Sequence, residues 1–260
     1  MKIMISGKGG SGKSTLSVLL AKALVKANCE VLLVDADESN MGVRRLLGAA
    51  DSDNLMENMG GRQSVKTELW SETASQTDNE LFKSGMKIAD LPDGCVAEAD
   101  GVKLLVVGKI QNFGDGCACL IGALSKTVLS KLDEGDNAMV IIDAEAGVEH
   151  FGRKVDSVCD LIIGVVDPTY ESFMLSVKMQ EMAAMAGIEI VFVLNKTDEA
   201  VTEVMAEHLD SDKVIAQIPF HKDIFSQSLH GKALSTNLPE VEKLGHFLKR
   251  YRKPVNLNVA

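Results

Sequence analysis

Short, almost continuously apolar runs alternate along the chain with longer stretches in which apolar residues recur at helical spacing. These runs predict β-strands, and they lie at residues 2–6, 30–35, 104–108, 138–143, 161–166, 189–194 and 214–218. Because nearly every position in them is apolar, both faces of each strand should be buried, as in a parallel sheet covered by helices. We therefore predict an α/β fold with a mostly parallel seven-stranded sheet and helices on both faces. Ligands should bind at the carboxyl ends of the strands.

One long segment departs from this alternation. Residues 49–103 are rich in Ser, Thr, Asn, Asp and Glu, and they contain the Gly60-Gly61 pair and the single tryptophan, Trp70. Such a composition is typical of loops and insertions. We predict a single domain over residues 1–260, in which 49–103 forms an inserted lid or cap.

The end of the chain has the pattern of an amphipathic helix. Within residues 240–253, Leu244, Phe247, Leu248 and Tyr251 fall on one helical face, surrounded by Lys and Arg. The pattern predicts a terminal helix packed on the sheet. The alternative is a helix that lies on a membrane surface.

Composition and charge exclude several classes of protein. The 260 residues are 46% hydrophobic and 25% charged, which is globular composition and excludes collagen-like, disordered and disulfide-scaffold chains. With 27 Lys and Arg against 37 Asp and Glu, the net charge is −10, and no broad basic surface for nucleic acid is expected. No apolar run reaches the roughly 18 residues of a membrane span, and the N-terminus lacks the layout of a signal peptide. The five cysteines fit a reducing compartment, so we expect a cytoplasmic protein without nucleic-acid or membrane partners.

A glycine-rich loop joins the first predicted strand to an apolar-periodic helix at 16–25. Residues 7–15 read GKGGSGKST, which is the P-loop pattern in its required context. Glycines let successive backbone N–H groups face a β-phosphate, while the lysine reaches phosphate oxygens and the serine hydroxyl binds Mg²⁺. The residues predicted to bind the nucleotide here are Gly9, Gly10, Ser11, Gly12, Lys13, Ser14 and Thr15.

Lys8, directly after the first glycine, is not needed by a generic P-loop. The run KGGSGKST at 8–15 resembles the deviant Walker A motif of the MinD/ParA class of ATPases. In that class this lysine reaches across a dimer to the partner's nucleotide. The resemblance therefore implies ATP-binding homodimers in which Lys8 and Lys13 are catalytic, with a plain surface charge as the alternative for Lys8.

The resemblance continues at two strand ends. It assigns to Asp37, which follows strand 30–35, the switch carboxylate that orients the attacking water, although Glu38 stands where the family commonly has proline. It also assigns to Asp143 the Walker B carboxylate that holds Mg²⁺ through water, with Gly147 as the sensor of the γ-phosphate. A helix N-cap is the alternative role for Asp143.

Two segments are candidates for binding the base. The family uses the position of Asn195 to bind adenine, and Pro219 stands in a sequence that resembles its purine-flanking loop. However, NKTD at 195–198 also satisfies the pattern by which many GTPases read guanine. Because several other motifs match the ATPases, we expect ATP with Mg²⁺, and GTP only as the less favoured alternative.

Two cysteines stand close together after the strand at 104–108. Cys117 and Cys119 follow the sequence GDG, which favours an exposed turn. Two thiolates fill only half of a four-coordinate shell, and a twofold dimer would supply the other half. We predict a Ni²⁺ or Zn²⁺ site made by Cys117 and Cys119 of both subunits. The alternative is that both thiols are packed as small hydrophobes.

The branch of the family follows from this pair together with residues 143–153, DAEAGVEHFGR. Their combination closely resembles the nickel-insertion accessory ATPases of carbon monoxide dehydrogenase, the CooC type, over most of residues 1–218. The resemblance implies a metallochaperone that delivers nickel to a client enzyme, expected to be carbon monoxide dehydrogenase. One alternative is an iron–sulfur carrier or electron-transfer ATPase, although His150 stands where nitrogenase-type iron proteins have a cluster cysteine. The other is a MinD/ParA-like positioning ATPase with a membrane-binding C-terminal helix.

Overall fold

A computed structural model describes residues 1–40, 42–70, 81, 84–110, 119–133, 135, 137–148, 151 and 155–251 of the protein. The strands are β1 (Lys2–Gly7), β2 (Glu30–Asp35), β3 (Val96–Ala99), β4 (Val102–Val106), β5 (Ala138–Asp143), β6 (Leu161–Val166), β7 (Glu189–Thr197) and β8 (Val214–Pro219). The helices in these residues are α1 (Lys13–Lys26), α2 (Val43–Leu47), α3 (Leu55–Asn58), α4 (Arg62–Trp70), α5 (Cys119–Lys131), α6 (Tyr170–Ala186), α7 (Glu199–Glu207), α8 (Lys222–Leu229) and α9 (Pro239–Arg250).

The strands form one sheet in the order β3-β4-β2-β5-β1-β6-β7-β8. The predicted α/β fold with a mostly parallel sheet is confirmed, but the sheet has eight strands rather than seven. The additional strand is β3, which lies within the segment 49–103 and pairs antiparallel with β4. It has only four residues, and Ala97 is buried while Glu98 is exposed, so it forms no continuous apolar run.

Side chains of the central strands alternate between two hydrophobic layers. Ile3 and Ile5 of β1 pack in the layer that contains α1, α2 and α9. Met4 packs in the opposite layer, which contains residues of α3 to α7. All three side chains are fully buried, because helices cover both faces of the sheet.

The described part of the segment 49–103 packs against the second of these layers. Leu55 of α3, Val65 of α4 and Cys95 beside β3 belong to the same hydrophobic cluster as Met4, and all are 0% exposed. The segment therefore contributes both an edge strand and part of the core of the domain.

The terminal helix α9 packs against α1 and β8. Of the apolar face predicted from the sequence, Leu244 and Leu248 are buried, whereas Phe247 is 43% exposed. The predicted packing of a terminal helix against the domain is therefore seen in the structure. No helix in the described ranges is long and apolar enough to cross a membrane.

We predict that Leu248→Ala lowers the free energy of unfolding by about 2–5 kcal/mol, because it leaves a cavity between α9 and α1. Leu248 is 0% exposed, whereas its neighbour Phe247 is 43% exposed. Phe247→Ala is therefore the matched control and should cost less than about 1 kcal/mol. Urea unfolding followed by circular dichroism measures both values. Equal losses in the two variants would contradict the docking of α9.

Candidate active site

At two positions of the glycine-rich loop between β1 and α1, neighbouring atoms lie too close to leave room for a side chain. Gly7 has a φ of 150° and Gly12 a φ of 101°. A Cβ atom on Gly7 would lie 2.4 Å from the carbonyl oxygen of Val165, and one on Gly12 would lie 2.3 Å from Nδ2 of Asn195. These two glycines are therefore fixed by the approach of β6 and β7 to the loop.

The other predicted loop residues lie around the same turn. Gly9 faces Ala146, which follows β5, and the Ser11 N–H donates to the carbonyl oxygen of Lys8 at 3.1 Å. Thr15 and Gly10 line a cavity beside the loop. The loop thus presents its backbone toward the carboxyl edge of the sheet, where a nucleotide phosphate would bind.

Lys13 lies in the first turn of α1 and is only 7% exposed. Its Nζ donates to the carbonyl oxygen of Lys8 at 3.2 Å. Burial lowers the pKa of Lys13, while the charges of Asp143 and Asp37 act in the opposite direction. Phosphate oxygens would be stronger partners for this ammonium than a neutral carbonyl, so the position suits phosphate binding.

A hydroxyl and a carboxylate meet at the end of β5. Ser14 Oγ donates to Asp143 Oδ2 at 2.7 Å, and Ser17 Oγ donates to Asp143 Oδ1 at 2.8 Å. Burial raises the pKa of Asp143 to about 6, and the two hydroxyls lower it. Both partners are side-chain hydroxyls of α1, whereas an N-cap carboxylate accepts from backbone N–H groups, so the alternative role as an N-cap does not fit. Mg²⁺ prefers hard oxygen ligands, so Ser14 and Asp143 fit the predicted ion.

Residues 36–40, which we call the switch loop, follow β2 and carry Asp37. The Asp37 carboxylate accepts hydrogen bonds from the N–H of Ser39 at 2.9 Å and of Asn40 at 3.2 Å. Asn40 Nδ2 in turn donates to Ser14 Oγ at 2.7 Å. The switch loop therefore contacts the candidate Mg²⁺ ligand directly, and Asp37 lies at the same edge of the sheet.

Lys109, which is not among the residues predicted for the site, binds both the end of β2 and the switch loop. Lys109 Nζ lies 2.8 Å from both carboxylate oxygens of Asp35. It also donates to the carbonyl oxygens of Asp37 and Asn40. Burial raises the pKa of Asp35 to about 7, and Lys109 is the largest influence that lowers it. In the sequence, Lys109 is only a lysine that follows an apolar strand. Its partner, Asp35, can be identified only when β4 is known to lie beside β2.

A largely apolar cavity of about 200 Å³ lies beside the P-loop. The lining residues include Thr15, Leu16, Leu19, Asn195, Ile218, Pro219, Phe220 and Ile224. Asn195 Nδ2 donates to the carbonyl oxygen of Ser11 at 2.8 Å, which connects the cavity to the P-loop. The structure thus brings Asn195 and Pro219 together in one pocket, whose apolar walls suit a purine base.

Asp198, the last residue of the NKTD sequence, has a different structural role. Its carboxylate accepts a hydrogen bond from the N–H of Val201 at 2.8 Å and caps α7. It is exposed and does not line the cavity. The geometry therefore disfavours the reading of guanine by this carboxylate.

Lys8 belongs to the P-loop, and Gly147 contacts it through the backbone. Lys8 Nζ is 3.8 Å from Asp167 Oδ2, and its side chain is 32% exposed. The N–H of Gly147 donates to the carbonyl oxygen of Gly7 at 3.0 Å. The residue assigned to γ-phosphate sensing therefore contacts the P-loop, and the Lys8 side chain is partly accessible to solvent.

The predicted cysteine site is described only in part. Cys119 is exposed and is the first residue of α5. Cys117 and His150 lie outside the described residues. Among the residues that are described, no group of three or more His, Cys, Asp or Glu side chains is arranged to hold a metal.

Proteins of known sequence resemble this chain over nearly its whole length. The family model described as the CobQ/CobB/MinD/ParA nucleotide binding domain matches residues 2–234. An uncharacterised ATP-binding protein of Methanocaldococcus jannaschii is 42% identical over 96% of this chain and 100% of its own. The carbon monoxide dehydrogenase accessory protein CooC of Rhodospirillum rubrum is 30% identical over 95% of this chain and 94% of its own.

Solved structures show the same fold. The septum site-determining protein MinD of Pyrococcus horikoshii, in complex with Mg-ADP, matches with a TM-score of 0.69 at 20% identity over 96% of both chains. The predicted P-loop fold of the MinD class is therefore confirmed.

We predict that Asp198→Ala leaves the KM for ATP and the preference for ATP over GTP within about twofold of the original values. The variant should lose about 1 kcal/mol of stability, because the cap of α7 is removed. Asn195→Ala, which changes the cavity itself, is the comparison and should weaken ATP binding. Steady-state hydrolysis of both nucleotides measures these effects. A selective loss of GTP turnover in Asp198→Ala would show that Asp198 reads the base after all.

Proposed function

The chain belongs to the CobQ/CobB/MinD/ParA family of nucleotide-binding proteins and is an ATPase, and we propose that it uses ATP to insert nickel into carbon monoxide dehydrogenase or a related nickel enzyme. The observation that carries the proposal is the exposed Cys119 at the start of α5, reached by the segment that leaves the nucleotide edge of the sheet. The name and extent of the Rhodospirillum rubrum relative support it.

The segment that leads toward the cysteines runs alongside the switch loop. The N–H of Val107 donates to the carbonyl oxygen of Asp35, and the N–H of Ile110 donates to that of Glu38, both at 3.1 Å. A change in the switch loop on hydrolysis would therefore act on residues 107–110, which precede the cysteine sequence in the chain. This contact supports a link between nucleotide state and the cysteines.

In the proposed metal site, Cys117 and Cys119 of two subunits supply four thiolates to one ion. Two thiolates from one chain fill half of a tetrahedral shell, so a complete site requires the homodimer. Nickel is the cargo of this site, and Zn²⁺ would satisfy the same ligands. Closure of the dimer by ATP would assemble the site, and hydrolysis would open it for delivery in the cytoplasm.

In the proposed hydrolysis reaction, the protein positions the γ-phosphoryl group and neutralises its charge. Lys13 and Lys8 hold the phosphate oxygens, with Lys8 acting on the nucleotide of the partner subunit. Ser14 and Asp143 hold Mg²⁺, which supplies further charge neutralisation when bound. Asp37 orients the attacking water at the end of β2.

We predict that the anaerobic, reduced protein binds one Ni²⁺ per dimer in the presence of ATP, because each chain supplies half of the ligands. Cys117→Ser/Cys119→Ser should abolish this binding. The control is Cys29→Ala, since Cys29 is 7% exposed and packs in the core; it should retain the metal. Size-exclusion light scattering with elemental analysis gives mass and metal content together.

Two results would contradict this model of the metal site. No stoichiometric nickel or zinc in any nucleotide state would favour a positioning ATPase and assign the cysteines to packing. A brown protein that contains iron and sulfide after anaerobic purification would favour the iron–sulfur carrier.

We also predict that Lys8→Ala binds ATP normally but loses ATP-dependent dimerisation and lowers kcat by more than about tenfold, as for other cations supplied in trans. Lys26→Ala is the control, because Lys26 is half exposed and pairs with Glu242 far from the P-loop. Equilibrium binding, light scattering and steady-state kinetics separate the three effects. Unchanged turnover in Lys8→Ala would show that Lys8 is a plain surface charge.

A further inference from the structure

A buried ammonium group lies directly behind the switch loop. The Lys109 side chain is 6% exposed and that of Asp35 is 2% exposed, so their ion pair is shielded from water. Lys109 also donates to the backbone carbonyl oxygens of Asp37 and Asn40. One side chain from the segment that follows β4 therefore holds both the end of β2 and the loop after β2.

The contacts of Lys109 divide into two kinds with different consequences. Asp35 supplies the charge that makes the burial of an ammonium tolerable, because an unpaired buried charge is strongly destabilising. The two carbonyl oxygens supply no net charge. Their hydrogen bonds instead fix the backbone of the switch loop at the two residues whose side chains face the nucleotide site.

Asp37 and Asn40 are the two residues of the switch loop that have a part in the candidate site. Asp37 carries the carboxylate proposed to orient water, and Asn40 donates to Ser14 Oγ at 2.7 Å. The Asp37 carboxylate is itself held by the N–H groups of Ser39 and Asn40. A shift of the backbone at either carbonyl would move both side chains relative to Ser14.

Lys103, which lies within β4, shows that an ion pair between β4 and β2 does not by itself reach the switch loop. Lys103 Nζ lies 2.9 Å from Glu30 Oε1, so it also joins β4 to β2. This pair lies at the opposite end of the strands, and its side chains are 30% and 48% exposed. Lys103 is therefore a matched comparison for the cross-strand charge pair alone.

We propose that Lys109 is a positioning residue for ATP hydrolysis, which fixes the switch loop through the carbonyl oxygens of Asp37 and Asn40 and so places Asp37 for its reaction. The proposal rests on the role proposed for Asp37 in orienting water. It assigns Lys109 no contact with the nucleotide. Binding of ATP through the P-loop and the base cavity should therefore be independent of Lys109, whereas the hydrolytic step should depend on it.

The test separates positioning from stability with two variants. Lys109→Met leaves the Asp35 carboxylate buried without its partner, so it should lower the unfolding midpoint as well as kcat. Asp35→Asn/Lys109→Met leaves no unpaired charge and should recover most of the midpoint, but it still lacks the ammonium that binds the two carbonyls. We expect kcat to be lower by about 10- to 100-fold in both variants, as for a misplaced reacting group.

Steady-state kinetics should show this loss in kcat while the KM for ATP stays within about threefold, because the residues that bind the nucleotide are unchanged. Lys103→Met is the control and should match the original kcat. The inference is overturned if the double variant recovers kcat together with its midpoint, since Lys109 would then serve stability only. It is also overturned if Lys109→Met folds and retains full kcat.

Asp37→Ala, measured in parallel, distinguishes failure of this inference from failure of the role of Asp37. Loss of turnover in Asp37→Ala with full turnover in both Lys109 variants would leave Asp37 as proposed and reject Lys109. Full turnover in Asp37→Ala would reject the role of Asp37 and, with it, the physical reason why Lys109 should affect hydrolysis.

Discussion

Two buried carboxylates lie opposite each other at the ends of neighbouring strands. The groups that bind each carboxylate, and so make its burial tolerable, determine much of the arrangement of the site. Asp35 of β2 and Asp143 of β5 are register partners in the parallel pairing, and they are 1% and 0% exposed. Two like charges in this position require different partners, because burial alone disfavours the ionised form. Asp143 accepts from hydroxyls of α1 and faces the P-loop, whereas Asp35 is bound by Lys109 from the segment that follows β4.

This arrangement divides the edge of the sheet into a phosphate side and a switch side. On the phosphate side, Gly7 and Gly12 of the P-loop fit closely against β6 and β7, and Asn195 connects the loop to the apolar cavity. On the switch side, the loop after β2 is held by Lys109 and reaches back to Ser14 through Asn40. Ser14 therefore contacts both Asp143 and the switch loop, so an ion bound there would be sensitive to the position of the loop.

Local sequence patterns predicted the features that depend on neighbouring residues in the chain. Continuous apolar runs indicated seven strands of a mostly parallel sheet, because both faces of the central strands β1, β2, β5 and β6 are buried, and the P-loop was evident from its glycines and Lys13. Strand β3 was missed because an edge strand of four residues needs apolar side chains on one face only. Lys109 was missed for a different reason: its significance comes from Asp35, which is distant in sequence and becomes adjacent only through the strand order. The sequence named Asn195 and Pro219 as candidates for binding the base, and both line one cavity, but the capping role of Asp198 required the start of α7 to be seen.

The position of Lys109 also bears on how a nucleotide signal would leave the site. The chain from Val107 to Ile110 is hydrogen-bonded to the end of β2 and to the switch loop, and it continues into the sequence that contains Cys117. A loop held only by its own turn could change conformation on hydrolysis without affecting any other element. Because this loop shares both backbone and side-chain contacts with the segment after β4, its movement must break those contacts or carry the segment with it. In the proposed metallochaperone, that shared movement is the physical step that would connect hydrolysis to the release of the metal.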